Sequence, residues 1–187
     1  MPWSRYVLGY HGCDAAVARK IAGGEDTLRP SGEKYDWLGS GQYFWEDSAE
    51  RALQWAKKKS EKSNPAFQQP GVLGAVIDLG NCLNLIEFEY LDLVRAAHER
   101  LKLIMAEAGG SMPRNTAEGS RKLDRAVFET LHELREEEGL PAFETVRAFF
   151  VEGEPLYPSA GIRQLDHLQI CVRRSKNIVG YFLPKLR

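Results

Sequence analysis

Two short segments constrain the fold of this chain more than any other feature: Tyr10-His11-Gly12-Cys13 and Gly39-Ser40-Gly41-Gln42-Tyr43-Phe44. Each reads as a strand end in which a ring-bearing side chain stands beside glycine. Glycine admits backbone or a flat ligand where a Cβ would block the approach. Each segment leads into a capped helix. Asp14 caps a helix through Ile21 with Ala15, Ala18 and Ile21 at helical spacing, and Gly23-Gly24 ends it. Asp47-Ser48 caps a second helix whose apolar face is Ala49, Ala52, Leu53 and Ala56. The repeated step from strand through cap to helix fixes where His11 and Tyr43 project.

The remaining periodicities fill in an α+β chain. Tyr6 to Tyr10 reads as the first strand, and Gln42 to Trp45 as the second. After a polar stretch from Ser60 to Pro70, Val72 to Leu79 is apolar almost without interruption, which suits a strand buried on both faces. From Ile86 to about Glu138 the period becomes helical. One amphipathic helix runs from about Leu91 to Ala106, Gly109 to Pro113 breaks it, and Lys122 to Glu137 turns Leu123, Val127, Leu131 and Leu134 inward. Val146 to Val151 returns to strand. Leu168 to Val172 and Ile178 to Phe182 are the last two strands, around a Lys/Asn turn. The expected organisation is one domain over residues 1–187 with a helical insert at about 86–138.

Composition narrows the function classes. With 25 basic and 26 acidic residues the net charge of −1 gives no global attraction to nucleic acid. Lys57-Lys58-Lys59 with Lys62, and Arg173-Arg174 with Lys176, are basic clusters that read first as solvated faces and second as a local groove. His98 and His132 stand alone on helical segments and no CxxC or HExxH pattern occurs, so no metal is expected. Cys13, Cys82 and Cys171 are odd in number and widely separated, which suits a reducing compartment. Met1-Pro2-Trp3-Ser4-Arg5 runs directly into a strand and no apolar stretch is long enough to span a bilayer, so a cytoplasmic protein without membrane contact is expected.

On the His11-Gly12 and Gly39–Phe44 segments the sequence resembles the ADP-ribosyltransferase superfamily, in the branch with a His-Tyr-Glu site that includes the poly(ADP-ribose) polymerases. The resemblance covers residues 1–56 and, more loosely, the last strand pair. It implies a mixed, mainly antiparallel split β-sheet core, with NAD as substrate in a cleft between the early and late strands. It also implies that His11 meets the adenosine ribose, Gly12 backbone holds the nicotinamide carboxamide, and Tyr43 stacks on the nicotinamide ring. Residues 23–38 become the loop over the dinucleotide, with Arg29 the candidate for the pyrophosphate. Trp55 lies one residue from where a second ring completes the nicotinamide sandwich. Cys13 replaces the usual Ser or Thr, exchanging a hydroxyl for a weak thiol donor.

The third motif departs most. Where many members carry a Glu at the start of a late strand, none occurs here. Strand alternation puts His167, Gln169 and Cys171 on one face. Gln169 is the first choice to meet the ribose hydroxyls, through its carbonyl, with Asp166 and His167 in reserve. Glu152 or Glu154, in the turn before this motif, is a candidate general base toward an acceptor. The expected activity is NAD-dependent mono-ADP-ribosyl transfer to a macromolecular acceptor, protein or nucleic acid, with release of nicotinamide. Small stand-alone bacterial members include toxins of toxin-antitoxin and phage-defence systems, a setting that brings a neutralising antitoxin as partner. Two alternatives stand beside it: a non-catalytic NAD or ADP-ribose binding module, and an RNA 2′-phosphotransferase-like enzyme.

Overall fold

The computed structural model describes residues 5–33, 36–61, 68–116 and 120–186. Lys34 and Tyr35 of the expected covering loop, Lys62 of the first basic cluster and the segment Met1 to Ser4 lie outside the described residues.

Strand β1 (Tyr6–Asp14) runs straight into α1 (Ala15–Ala22), and β2 (Gln42–Glu46) into α2 (Ala49–Ser60). The caps anticipated from sequence are present: Asp14 accepts from Ala16 N, and Ser48 accepts from Arg51 N. β3 (Pro70–Asp78) is the long apolar strand, and β4 (Cys82–Asn84) is a three-residue strand that no sequence pattern announced. α3 (Phe88–Glu107) and α4 (Lys122–Glu137) form the helical insert, followed by β5 (Thr145–Phe150), β6 (His167–Val172) and β7 (Ile178–Phe182).

The seven strands make one open sheet in the order β4-β5-β6-β2-β1-β3-β7. Every neighbouring pair is antiparallel except β4 with β5, so the sheet is mixed and mainly antiparallel. The late strand β6 thus lies directly beside β2, with Trp45 opposite Gln169 and Tyr43 opposite Cys171. Helices α3 and α4 pack on one face of the β4–β6 half, where Leu101, Val127, Phe128 and Leu131 meet Leu83, Val146, Ala148 and Cys171. On the same side of the other half, α2 sets Ala52 against Trp45 and Val72. α1 covers the opposite side, where Ala18 and Ile21 pack on Leu73. No helix among the described residues is long and apolar enough to cross a membrane.

Candidate functional site

The centre of the sheet contains an interruption. β1 pairs with β3 along its whole length, Tyr6 to Asp14, but with β2 only at Gly9↔Glu46 and Tyr10↔Trp45. If that register continued, Gly12 would face Tyr43. Instead the His11 ring occupies the position: its Nδ1–H donates to the Tyr43 carbonyl at 2.8 Å. A carbonyl can only accept, so this bond places the proton on Nδ1. Burial lowers the His11 pKa below the ordinary histidine value, although the bond to Tyr43 opposes this in part. The ring is therefore neutral near pH 7, and Nε2 keeps a lone pair.

Backbone alternation decides what Gly12 offers. Leu8 O accepts from Asp47 N on the β2 side, whereas Arg5 O accepts from Leu79 N and Ala15 N donates to Gln69 O on the β3 side. Even-numbered residues of β1 thus direct their polar groups toward β2. Gly12 N–H and C=O consequently point into the gap where that ladder has ended. Glycine is required here for a second reason: a Cβ on residue 12 would lie 2.3 Å from Ala52 O of α2.

Tyr43 forms the floor. Its hydroxyl donates to Gly39 O at 2.6 Å and accepts from Leu38 N at 2.9 Å. Gly39 holds φ +86, a left-handed conformation that bends the chain back to meet the phenol. With both hydrogen bonds made and burial pushing its pKa far up, the phenol stays protonated and the ring is held rigidly. Its contribution to a ligand is a fixed aromatic surface.

Beside the His11 and Tyr43 side chains lies a cavity of about 260 Å³, and Gly12, buried next to His11, is not among its lining residues. His11, Arg29, Tyr43, Trp55 and Gln169, drawn from β1, the following loop, β2, α2 and β6, all line it. Arg29 is exposed, and Trp55 stands 5.9 Å from Trp45, centroid to centroid. Lys59 of the first basic cluster also lines the cavity, its ammonium 5.0 Å from the Trp55 ring centre, while Lys57 and Lys58 are exposed.

Several sequence expectations change here. Cys13 does not line the cavity: it is 6% exposed, packed with Ala18, Ile21 and Leu73, and burial raises its thiol to about 11. The Gln169 carbonyl, expected to meet a ribose hydroxyl, accepts from the Trp37 indole N–H. Because that indole can only donate, the Gln169 amide must turn its Nε2 donors elsewhere, and one lone pair of Oε1 remains. Asp166 accepts backbone N–H groups from Glu152 and Arg163 with its two oxygens, which fixes the turn before β6. His167 is buried, with Nδ1 bonded to Leu165 O at 2.7 Å. Glu152 is paired with Arg51 at 2.7 Å, and neither it nor Glu154 lines the cavity.

Two carboxylates that no sequence motif marks do reach the cavity wall, those of Glu33, which is exposed, and Asp36. Asp36, 2% exposed, accepts from Ser31 Oγ and Glu33 N and so knots the loop into a tight turn. Ser31 N donates to Gly41 O at 2.8 Å, which ties this knot to the start of β2. Burial raises the Asp36 pKa, opposed by those two hydrogen bonds. Its only sequence signal is an acidic residue beside Trp37 in a Gly-rich loop, a pattern common to many turns. No protein-family model, curated protein or solved structure matches this chain.

Proposed function

We propose that this cavity takes the nicotinamide end of NAD and that the protein is an NAD-dependent mono-ADP-ribosyltransferase acting on a macromolecular acceptor. The observation that carries the reading is the parting of β1 from β2. It leaves one backbone donor and one backbone acceptor on Gly12 beside a locked aromatic surface, and a primary carboxamide on a flat ring needs that combination. Gly12 N–H would donate to the carboxamide oxygen and Gly12 C=O would accept from its NH₂, with the ring on Tyr43. His11 Nε2 would accept from a ribose hydroxyl, and Arg29 and Lys59 would face the pyrophosphate.

In the reaction the bond between nicotinamide nitrogen and ribose C1′ breaks, and its electron pair leaves with neutral nicotinamide. The electron-poor C1′ then bonds to an acceptor nucleophile, which loses its proton. Positive charge grows on the ribose during this step. The groups of the cavity wall available to steady it are the remaining Gln169 lone pair and the carboxylates of Asp36 and Glu33, since β6 carries no carboxylate.

The Trp37–Gln169 bond favours a second reading, a module that binds NAD or ADP-ribose without turnover, because it occupies the oxygen that would otherwise meet the ribose. One experiment separates the two. Labelled NAD is incubated with wild type, His11→Ala and Tyr43→Ala in separate pools of protein, RNA and single-stranded DNA. Label passing to one pool, lost in both variants, supports the transferase. NAD binding without transfer or nicotinamide release supports the module, and absence of binding removes both.

A further inference from the structure

A second cavity, about 270 Å³, opens between the C-terminal end of β6 and the starts of β2 and β5. One backbone bridge joins its wall to that of the first. Ser31, which lines the first cavity, donates its N–H at 2.8 Å to the carbonyl of Gly41, which lines the second. Ser40, Phe143, Arg173 and Arg174 also line it, and no carboxylate does. Arg173 and Arg174 belong to the second basic cluster of the sequence. Its third member, Lys176, is paired with Glu144 at 2.5 Å and lies outside this cavity.

Both guanidiniums keep donors to spare. Arg173 turns Nη1 toward Glu129, but their separation of 3.6 Å is too long for a hydrogen bond, and the other Glu129 oxygen accepts from Ser40 N at 2.6 Å. The Arg173 Nε and Nη2 donors, on a side chain that is 21% exposed, are not buried and make no hydrogen bond among the described residues. Arg174 is exposed, and its side chain forms neither an ion pair nor a hydrogen bond among the described residues. Arg125 adds a third charge at the rim, donating through Nη2 to Ser40 Oγ at 3.3 Å, so the Ser40 hydroxyl proton can be offered to a ligand. Glu129 offsets one of these charges and Glu144 is matched by Lys176, so the mouth stays positive although the whole chain carries −1.

We infer that this cavity binds a phosphate group of a single-stranded nucleic acid. Guanidinium forks match phosphate oxygens, and an anion here supplies the hydrogen bonds that both arginines lack. The neighbouring cavity selects the source. Every base of a strand carries a phosphate beside it, so a nucleotide that reaches the first cavity brings a phosphate across the Ser31–Gly41 bridge. On the transferase reading above, on which this assignment rests, the strand is the acceptor: its nucleophilic atom bonds to C1′ and gives up its proton. The arginines hold it by its backbone and read no sequence.

The test titrates the whole chain with short fluorescent single-stranded RNA and DNA, followed by anisotropy over a salt series. Arg173→Gln and Arg174→Gln should each weaken binding severalfold and together at least about tenfold, with the salt slope lowered by roughly 0.7 per charge removed. Lys58→Gln, which removes an exposed charge lining neither cavity, should bind as wild type. In NMR spectra the Nε–H signals of Arg173 and Arg174 should move with inorganic phosphate and stay fixed in sodium chloride of equal ionic strength. With labelled NAD, both variants should bind NAD as wild type and lose transfer to the nucleic-acid pools. Arg174→Gln breaks no bond of the fold, so its result stands whether or not Arg173→Gln, which loses the Glu129 pairing, melts earlier. No oligonucleotide binding, equal binding by all variants, equal weakening by Lys58→Gln, tighter binding of a phosphoserine peptide, or label passing only to protein would overturn the inference. Oligonucleotide binding that needs both arginines, in a chain that does not bind NAD, would support the phosphate site and remove the transferase reading instead.

Discussion

At the scale of single residues, two neighbours on β1 divide the work of opening the sheet. His11 takes the Tyr43 carbonyl for its own Nδ1–H, and Gly12 lets α2 lie close enough to shape the gap. Gly12→Ala sets a methyl 2.3 Å from a backbone oxygen that cannot rotate away. The expected cost is about 1–3 kcal/mol, read as a lower urea midpoint with unchanged m. For His11, ¹⁵N NMR should find the Nδ1–H tautomer at pH 7 and a titration below 6.5, as burial dictates. A measured Nε2–H tautomer would remove the acceptor that the nucleotide reading needs.

At the scale of elements, helix ends and buried rings set the pH response. The Asp14 carboxylate accepts from Ala16 N, Gln68 N and Gln69 N, each at 2.8 Å, so it caps α1 and holds the entry to β3 together. Asp14→Ala should cost about 3 kcal/mol at pH 7. Those backbone bonds, that of Gln69 foremost, lower its pKa below 3.8. The stabilisation is therefore present above that value and lost as pH falls through the lowered folded pKa, so variant and wild type should converge in acid.

Helix α4 contributes with the same sign, at higher pH. His132 is 9% exposed with Nε2 unpartnered, and burial, reinforced by Arg173 and opposed by Glu129, lowers its pKa to about 3. The unfolded chain binds this proton below 6.5 and the folded chain does not until about 3, so stability is lost as pH falls through that window. Replacing the ring by His132→Leu should flatten the slope and recover about 2 kcal/mol of the loss at pH 5, measured by denaturant unfolding across pH.

At the scale of the whole molecule, the backbone bridge from Ser31 to Gly41 joins the walls of two cavities at the start of β2. A ligand that binds only the folded chain stabilises it by mass action, about 2.7 kcal/mol at a concentration one hundred times Kd. For a chain of this length that corresponds to a rise in Tm of roughly 5–10 °C on adding NAD. Thermal unfolding should show this rise in wild type and lose it in His11→Ala. An equal rise in both would place the nucleotide elsewhere.

Features that depend on near neighbours are legible in the chain. The caps at Asp14 and Ser48, the helical faces of α1, α2 and α4, and the alternation that aligns His167, Gln169 and Cys171 are set by residues a few positions apart, and the folded chain keeps them. The choice of His11 and Tyr43 also came from local patterns, glycine beside a ring at a strand end. Features that depend on distant partners emerge when the chain folds. β4 is too short to show a period, and it exists because β5 offers a parallel edge. Cys13 shares the motif segment but turns into the packing under α1. Gln169 and Trp37 are 132 positions apart, so their hydrogen bond left no trace in either segment, although it decides which atoms of Gln169 face the cavity. Asp36 reached the cavity through a loop whose turn is closed by its own carboxylate. Periodicity and capping are local free energies that sequence displays directly. Pairing across the sheet, and the atoms it leaves unpaired, are settled when the strands meet.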